Sequence, residues 1–202
     1  MADACILILA AGASSRMAPR DKLLEPVAGQ PLLALVAARA GRTGAPVIVV
    51  LPPDRPLRAV ALAGLPVTLV TAPDAADGMA ASLRAGIAAL PPDCRGAMIL
   101  PADMPGPTTD DLRLMLDLFA RDPSRILRGA TADGREGHPA LFPADLFPQL
   151  LDLTGDEGGR SVLKANRARL RQVPLPDDHA VLDLDTPEDW AAFRARLSSG
   201  RQ

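Results

Sequence analysis

The sequence predicts an α/β fold, a single mostly parallel sheet flanked by helices and interrupted by an antiparallel insertion. Three observations predict it. Short apolar runs of strand length alternate with longer stretches of helical spacing four times between residues 4 and 121, as in parallel strands covered on both faces by their crossover helices. Beyond that point the alternation breaks down, and two strand-like runs flank the polar loop 132–137. Hydrophobic residues make up 48% of the 202 positions, and a chain of this length buries about 70% of its unfolded surface in one core.

Taken in order, runs 4–10 and 46–51 are continuous and apolar, as strands buried on both faces should be, and 66–71 and 97–101 follow in the same style. Between them 31–40, 57–63 and 79–90 have helical length and spacing, and Pro31 suits a first helical turn. The stretch 108–121 places Leu112, Met115, Leu116 and Phe119 at helical spacing, which predicts a core-facing helix. Runs 125–131 and 138–142 read as the strands of the insertion, and 169–175 and 180–184 as two more strands. The final helix opens at Thr186-Pro187-Glu188-Asp189, with Thr186 as its cap, Pro187 at the first position and two acids in the first turn. No repeat or long linker divides the chain, so one domain over 1–202 is expected.

Composition excludes several classes of function. The net charge of −2, with Lys and Arg scattered, provides no field for a polyanion, and 2% aromatic content with no Tyr provides no stacking platform, so no nucleic-acid partner is expected. No apolar run approaches the roughly 18 residues needed to span a bilayer. The start Met-Ala-Asp-Ala lacks a basic region. A cytoplasmic location without membrane association is therefore expected. Cys5 and Cys94, far apart in the chain and each beside a hydrophobic run, suggest neither a disulfide framework nor a thiolate metal cluster and read as two reduced thiols of the core.

The chemistry concentrates at the ends of the buried strands. Leu9-Ala10-Ala11-Gly12-Ala13-Ser14-Ser15-Arg16-Met17 follows the first strand directly, with Lys22 a few positions on. Small side chains let successive backbone N–H groups approach an anion, and Arg16 and Lys22 add positive charge to that cradle. The loop is neither a G-x-G-x-x-G dinucleotide fingerprint nor a Walker A loop ending in Gly-Lys-Ser/Thr. In Pro101-Ala102-Asp103-Met104-Pro105, Asp103 stands just past the fourth strand, where α/β sheets place ligands, and its hard oxygens suit Mg²⁺. Asp183 and Asp185 alternate near the end of the chain, which would direct both to one face of a strand, and either would complete a metal shell.

Three further segments stand at matching places. Gly78-Met79-Ala80-Ala81-Ser82-Leu83 opens a helix whose first backbone amides are available. Gly137-His138-Pro139 and Gly155-Asp156-Glu157-Gly158-Gly159-Arg160 lie in the second half. A lone His before Pro reads as a loop anchor, and His179, among acids in a polar turn, reads as exposed.

Together these motifs, in order from Leu9 to Trp190, resemble the MobA-like NTP transferase family, and within it the molybdenum cofactor cytidylyltransferase branch. The matching patterns are L-A-A-G-x-S-x-R-M followed by Lys, A-D-M-P, G-M-x-x-S-L, G-H-P and G-D-x-G-x-R. Two departures stand within them: Ala18-Pro19-Arg20-Asp21 replaces a Gly-rich approach to Lys22, and Pro101 stands where Gly often precedes A-D-M-P.

The resemblance implies a Rossmann-like architecture of the nucleotide-diphospho-sugar transferase type and a Mg²⁺-dependent transfer of a nucleoside monophosphate to a phosphorylated small molecule, molybdopterin first. It implies that the loop amides and Arg16 hold the β- and γ-phosphates, that Lys22 neutralises the α-phosphate, and that Asp103 and Asp183 hold the metal. Gly78 and Ser82 would belong to the nucleotide pocket, and His138, Asp156 and Arg160 would face the acceptor. The L-A-A-G form of the loop accompanies cytidine in the resembling families, so CTP is the expected donor, with a transient contact to a molybdoenzyme or its chaperone. Another acceptor such as methylerythritol phosphate, GTP as donor, or a non-catalytic nucleotide- or pterin-binding role are the alternatives. A phosphate acceptor is already a nucleophile at neutral pH, so no general base is required.

Overall fold

The computed structural model describes residues 3–156 and 158–199. Strand β1 (Ala4–Leu9) is followed by a short ribbon, β2 (Pro26–Val27) with β3 (Gln30–Pro31), and by helix α1 (Leu32–Gly41). Then come β4 (Val47–Leu51), α2 (Pro56–Ala61), β5 (Thr68–Thr71), α3 (Met79–Ala88), β6 (Gly96–Pro101) and α4 (Thr109–Arg121). The second half holds β7 (Ile126–Ala130), β8 (Glu136–Pro143), α5 (Phe147–Leu151), α6 (Arg160–Ala165), β9 (Leu170–Pro174) and α7 (Pro187–Ser199).

Seven strands form the sheet in the order β5-β4-β1-β6-β8-β7-β9. All pairings are parallel except those of β8 with β6 and β7. The antiparallel insertion is thus one reversed strand. From β1 the chain winds outward through β4 to β5 and then returns to lay β6 on the other side of β1. That reversal opens a crevice at the carboxyl ends of β1 and β6. Register aligns Leu9 with Pro101, so the loop after β1 and Asp103 after β6 leave the sheet side by side.

The core lies on both faces because successive side chains of a strand alternate. Ile6, Ile8, Val47, Val49, Met98 and Leu100 pack against α1, α4 and α7, while Leu7, Ile48, Val50, Ala97 and Ile99 pack against α3, α5 and α6. Leu112, Met115 and Phe119 are fully buried in α4, which Thr108 and Asp111 start with a reciprocal capping box. Thr186 and Asp189 do the same for α7. Among the described residues no helix is long and apolar enough to cross a membrane.

Three expectations are corrected. Strand β5 is a largely exposed edge rather than a strand buried on both faces. Residues 180–184 form a turn and an irregular segment, not a strand. Their backbone bonds go elsewhere: the Ala180 carbonyl accepts from His138 N at 2.7 Å, and Leu184 N donates to the Asp103 carbonyl at 3.1 Å. His179 is half-buried and bonds Asp111 through Nδ1 at 2.8 Å. Beyond these corrections, Cys5 and Cys94 are free thiols whose sulfurs lie 3.1 Å apart because β1 and β6 are neighbours.

Candidate functional site

A cleft of about 1360 Å³ opens at the carboxyl ends of β1 and β6. Leu9, Ala11, Gly12, Ala13, Ser14, Ser15, Arg16 and Lys22 line one side, and Asp103, Asp183 and Asp185 its floor. Gly78, Ser82, His138, Asp156 and Arg160 line the other side. The expected site residues therefore converge, with Ala10 buried just behind the loop.

The loop is shaped by its carbonyls. Those of Ala10 and Gly12 accept from the Arg58 guanidinium at 2.6 and 2.9 Å, and that of Ala13 from Arg55 at 3.2 Å. Carbonyls turned inward leave the opposite edge of each peptide for a ligand. The N–H groups of residues 11–15 have no acceptor among the described residues. Ser14 takes a left-handed conformation with φ 55°, which costs a non-glycine residue free energy. Its hydroxyl, bonded to both Arg58 and Asp21, holds it there.

Lys22 begins a short turn capped by Asp21, whose carboxylate accepts from Leu23 N at 3.1 Å. Its Nζ lies 2.6 Å from Asp103 and 2.5 Å from Asp185, and Arg16 reaches the second oxygen of Asp185 at 2.5 Å. Burial pulls the Lys22 ammonium down, but the two carboxylates outweigh it and hold its pKa above the ordinary lysine value. Burial likewise pushes Asp185 up, and Lys22 and Arg16 reverse that shift. Asp183 is held above the usual range by burial and by the negative charge of Asp185 and Asp103. Of the three carboxylates Asp103 and Asp185 are paired with cations, while Asp183 has no ion pair among the described residues. Among the described residues no three His, Cys, Asp or Glu side chains are grouped so as to hold a metal ion between them.

On the opposite wall the two halves of the chain interlock. Gly78 has φ +110°, and a Cβ there would meet Asp156 Oδ1 at 2.5 Å. The first amides of α3 are not available as expected: Met79 N donates to Asp156 Oδ1 at 3.3 Å, and Ala80 N to the Gly155 carbonyl at 3.0 Å. The adjacent Glu157 lies outside the described residues. A Cβ on Gly137 would lie 1.7 Å from the Ala180 carbonyl oxygen. Burial, reinforced by Arg128, pushes His138 down to about 4, so it is neutral at pH 7. Its Nδ1 is buried without a partner among the described residues.

Arg58, Asp21, Asp185 and Arg128 matter here more than the motifs suggested. Arg58 carried a signal, a charge within the apolar helix Pro-Leu-Arg-Ala-Val-Ala. Arg128 carried none: it lines the cleft because the reversed β8 brings Glu136 to it, 2.6 Å away.

The MobA-like NTP transferase domain model matches residues 6–173. A molybdenum cofactor guanylyltransferase of Cupriavidus metallidurans is 30% identical, and the alignment covers 96% of each chain. The crystal structure of Rv0371c from Mycobacterium tuberculosis is 28% identical with a TM-score of 0.79, covering 94% of this chain and 97% of that one. A manganese complex of Rv0371c is 26% identical with a TM-score of 0.76, covering 93% and 96%.

Proposed function

Because the chain belongs to the MobA-like NTP transferase family, and is thereby a nucleotidyltransferase, we propose that it moves a cytidylyl group from CTP to the terminal phosphate of molybdopterin. The observation that carries this reading is Lys22 held between Asp103 and Asp185 beside a loop whose amides have no acceptor among the described residues. The charge that develops on an α-phosphate during displacement needs a fixed cation, and the leaving pyrophosphate needs a cradle of donors.

In the proposed reaction an oxygen of the acceptor phosphate forms a bond to the α-phosphorus as the bond from that phosphorus to the β-phosphate bridging oxygen breaks. Residues 11–15 and Arg16 hold the β- and γ-phosphates and retain the pyrophosphate as it leaves. Lys22 turns from its carboxylates to the α-phosphate, where its stabilisation is greatest in the transition state. Asp103 with Asp183 or Asp185 would hold Mg²⁺, which supplies charge neutralisation between the two phosphates. The manganese complex of Rv0371c supports a divalent ion in this group of proteins. His138 and Arg160 face the acceptor, where neutral His138 supplies a hydrogen bond and Arg160 a charge. The nucleotidylated product would then pass to a molybdoenzyme or its chaperone through a transient contact.

Ala11 supports CTP as donor. It is buried in the cleft wall, and its methyl narrows the space that a glycine would leave for a purine. GTP is the second reading, favoured by the guanylyltransferase of Cupriavidus metallidurans. One methyl discriminates by about 1–3 kcal/mol. Equal CTP and GTP are therefore offered together with molybdopterin and Mg²⁺, and the dinucleotide forms of the product are separated and counted. Cytosine product in excess is expected. A guanine excess moves the assignment to GTP, and neither product rejects molybdopterin as acceptor.

A further inference from the structure

Arg58 is fully buried beneath the loop, yet a side chain needed only to fill the core would be apolar there. Its guanidinium makes five hydrogen bonds. Nε and one terminal nitrogen grip the two oxygens of Asp21 at 2.8 and 3.0 Å. The other terminal nitrogen takes the Ala10 and Gly12 carbonyls, and the first also donates to Ser14 Oγ at 3.1 Å. Burying a lone cation is costly, and Asp21 neutralises this one. Burial pushes the Asp21 carboxyl up, but the Arg58 bonds outweigh that and hold it below the usual range.

The two partners of this pair control two different parts of the site. Through Arg58 the pair draws the loop carbonyls inward, which leaves the amide edges of the same peptides for an anion. Through Asp21 it caps the turn on which Lys22 stands. From this juxtaposition we infer that Arg58 and Asp21 are the positioning residues of the triphosphate site, setting the loop amides and Lys22 in one fixed relation. The inference rests on the nucleotidyl-transfer reading. Planarity is essential, because only a guanidinium fork reaches the carboxylate, both carbonyls and the hydroxyl together.

The test titrates inorganic pyrophosphate and CTP with Mg²⁺ into the wild-type protein, Arg58→Lys and Asp21→Asn by calorimetry, with steady-state kinetics alongside. Arg58→Lys keeps the buried charge but loses the fork. A loop displaced by about an ångström costs up to about 100-fold, so the pyrophosphate Kd and the CTP KM should each rise at least about tenfold, with the acceptor KM within about twofold. Asp21→Asn should lower kcat more than it raises the CTP KM, since its damage falls on Lys22. A purely structural role would lower the melting temperature of both variants without this split. Folded variants that bind pyrophosphate as the wild type does would overturn the inference alone. Wild-type protein that binds neither ligand would overturn the transfer reading with it. Should Arg58→Lys fail to fold, Ser14→Ala takes its place, and wild-type pyrophosphate affinity in both Ser14→Ala and Asp21→Asn rejects the inference.

Discussion

The side of the cleft proposed for the donor, residues 9–22 over α2, is shaped chiefly by charge, whereas the side proposed for the acceptor, drawn from β8, α6 and the segment after β9, combines the Arg128–Glu136 pair with close backbone approaches. On the side of the loop Arg58 pairs with Asp21, and Lys22 pairs separately with Asp103 and Asp185. On the opposite wall a Cβ on Gly137 would meet the Ala180 carbonyl, and one on Gly78, expected in the nucleotide pocket, would meet the Gly155 carbonyl and the Asp156 carboxylate, so that neither place has room for a side chain. The difference teaches which substitutions each side tolerates. Charge networks fail when a charge is lost, and glycine contacts fail when a methyl is added.

The largest effect expected from breaking this contrast is at Lys22. Lys22→Ala should lower kcat by about 100- to 1000-fold with a smaller change in KM, because the lost charge acts on the transition state. Steady-state kinetics that showed a change in KM alone would reject its role. Asp103→Asn follows, with a loss of about 100-fold in metal-dependent turnover and an intact fold. It is read from activity against Mg²⁺ concentration beside a circular dichroism melt, and wild-type turnover at limiting Mg²⁺ would count against Asp103 as ligand.

Gly137→Ala sharpens the comparison from the other side. The new methyl must displace the Ala180 backbone, a strain of about 2 kcal/mol, which lowers the melting temperature by about 4–8 °C in a chain of this size. Acceptor KM should rise about tenfold, while calorimetric CTP binding stays near wild type. Equal damage to both substrates would mean that the two halves are not independent.

Much of this molecule was legible in its residues. The units of β1, β4 and β6 were readable because buried parallel strands are continuous apolar runs, as in Ile6-Leu7-Ile8 and Val47-Ile48-Val49-Val50, whereas β5 is an exposed edge strand. The loop from Leu9 to Lys22 and the position of Asp103 were readable because each is a contiguous segment at a strand end, where the fold itself places ligands. What the sequence determined by itself was therefore local: strand ends, helix caps such as Thr186, and the charges that follow them. Only the tertiary structure decided which distant groups meet them. That Arg58 lies beneath the loop, that Asp185 rather than Asp183 pairs with Lys22, and that residues 180–184 are no strand all depend on contacts between segments remote in the chain. Side-chain alternation predicts a direction only while a strand persists. Once Ala180 and Leu184 bond to His138 and Asp103 instead of to a ladder, the backbone turns, and its carboxylates point where those tertiary bonds direct them.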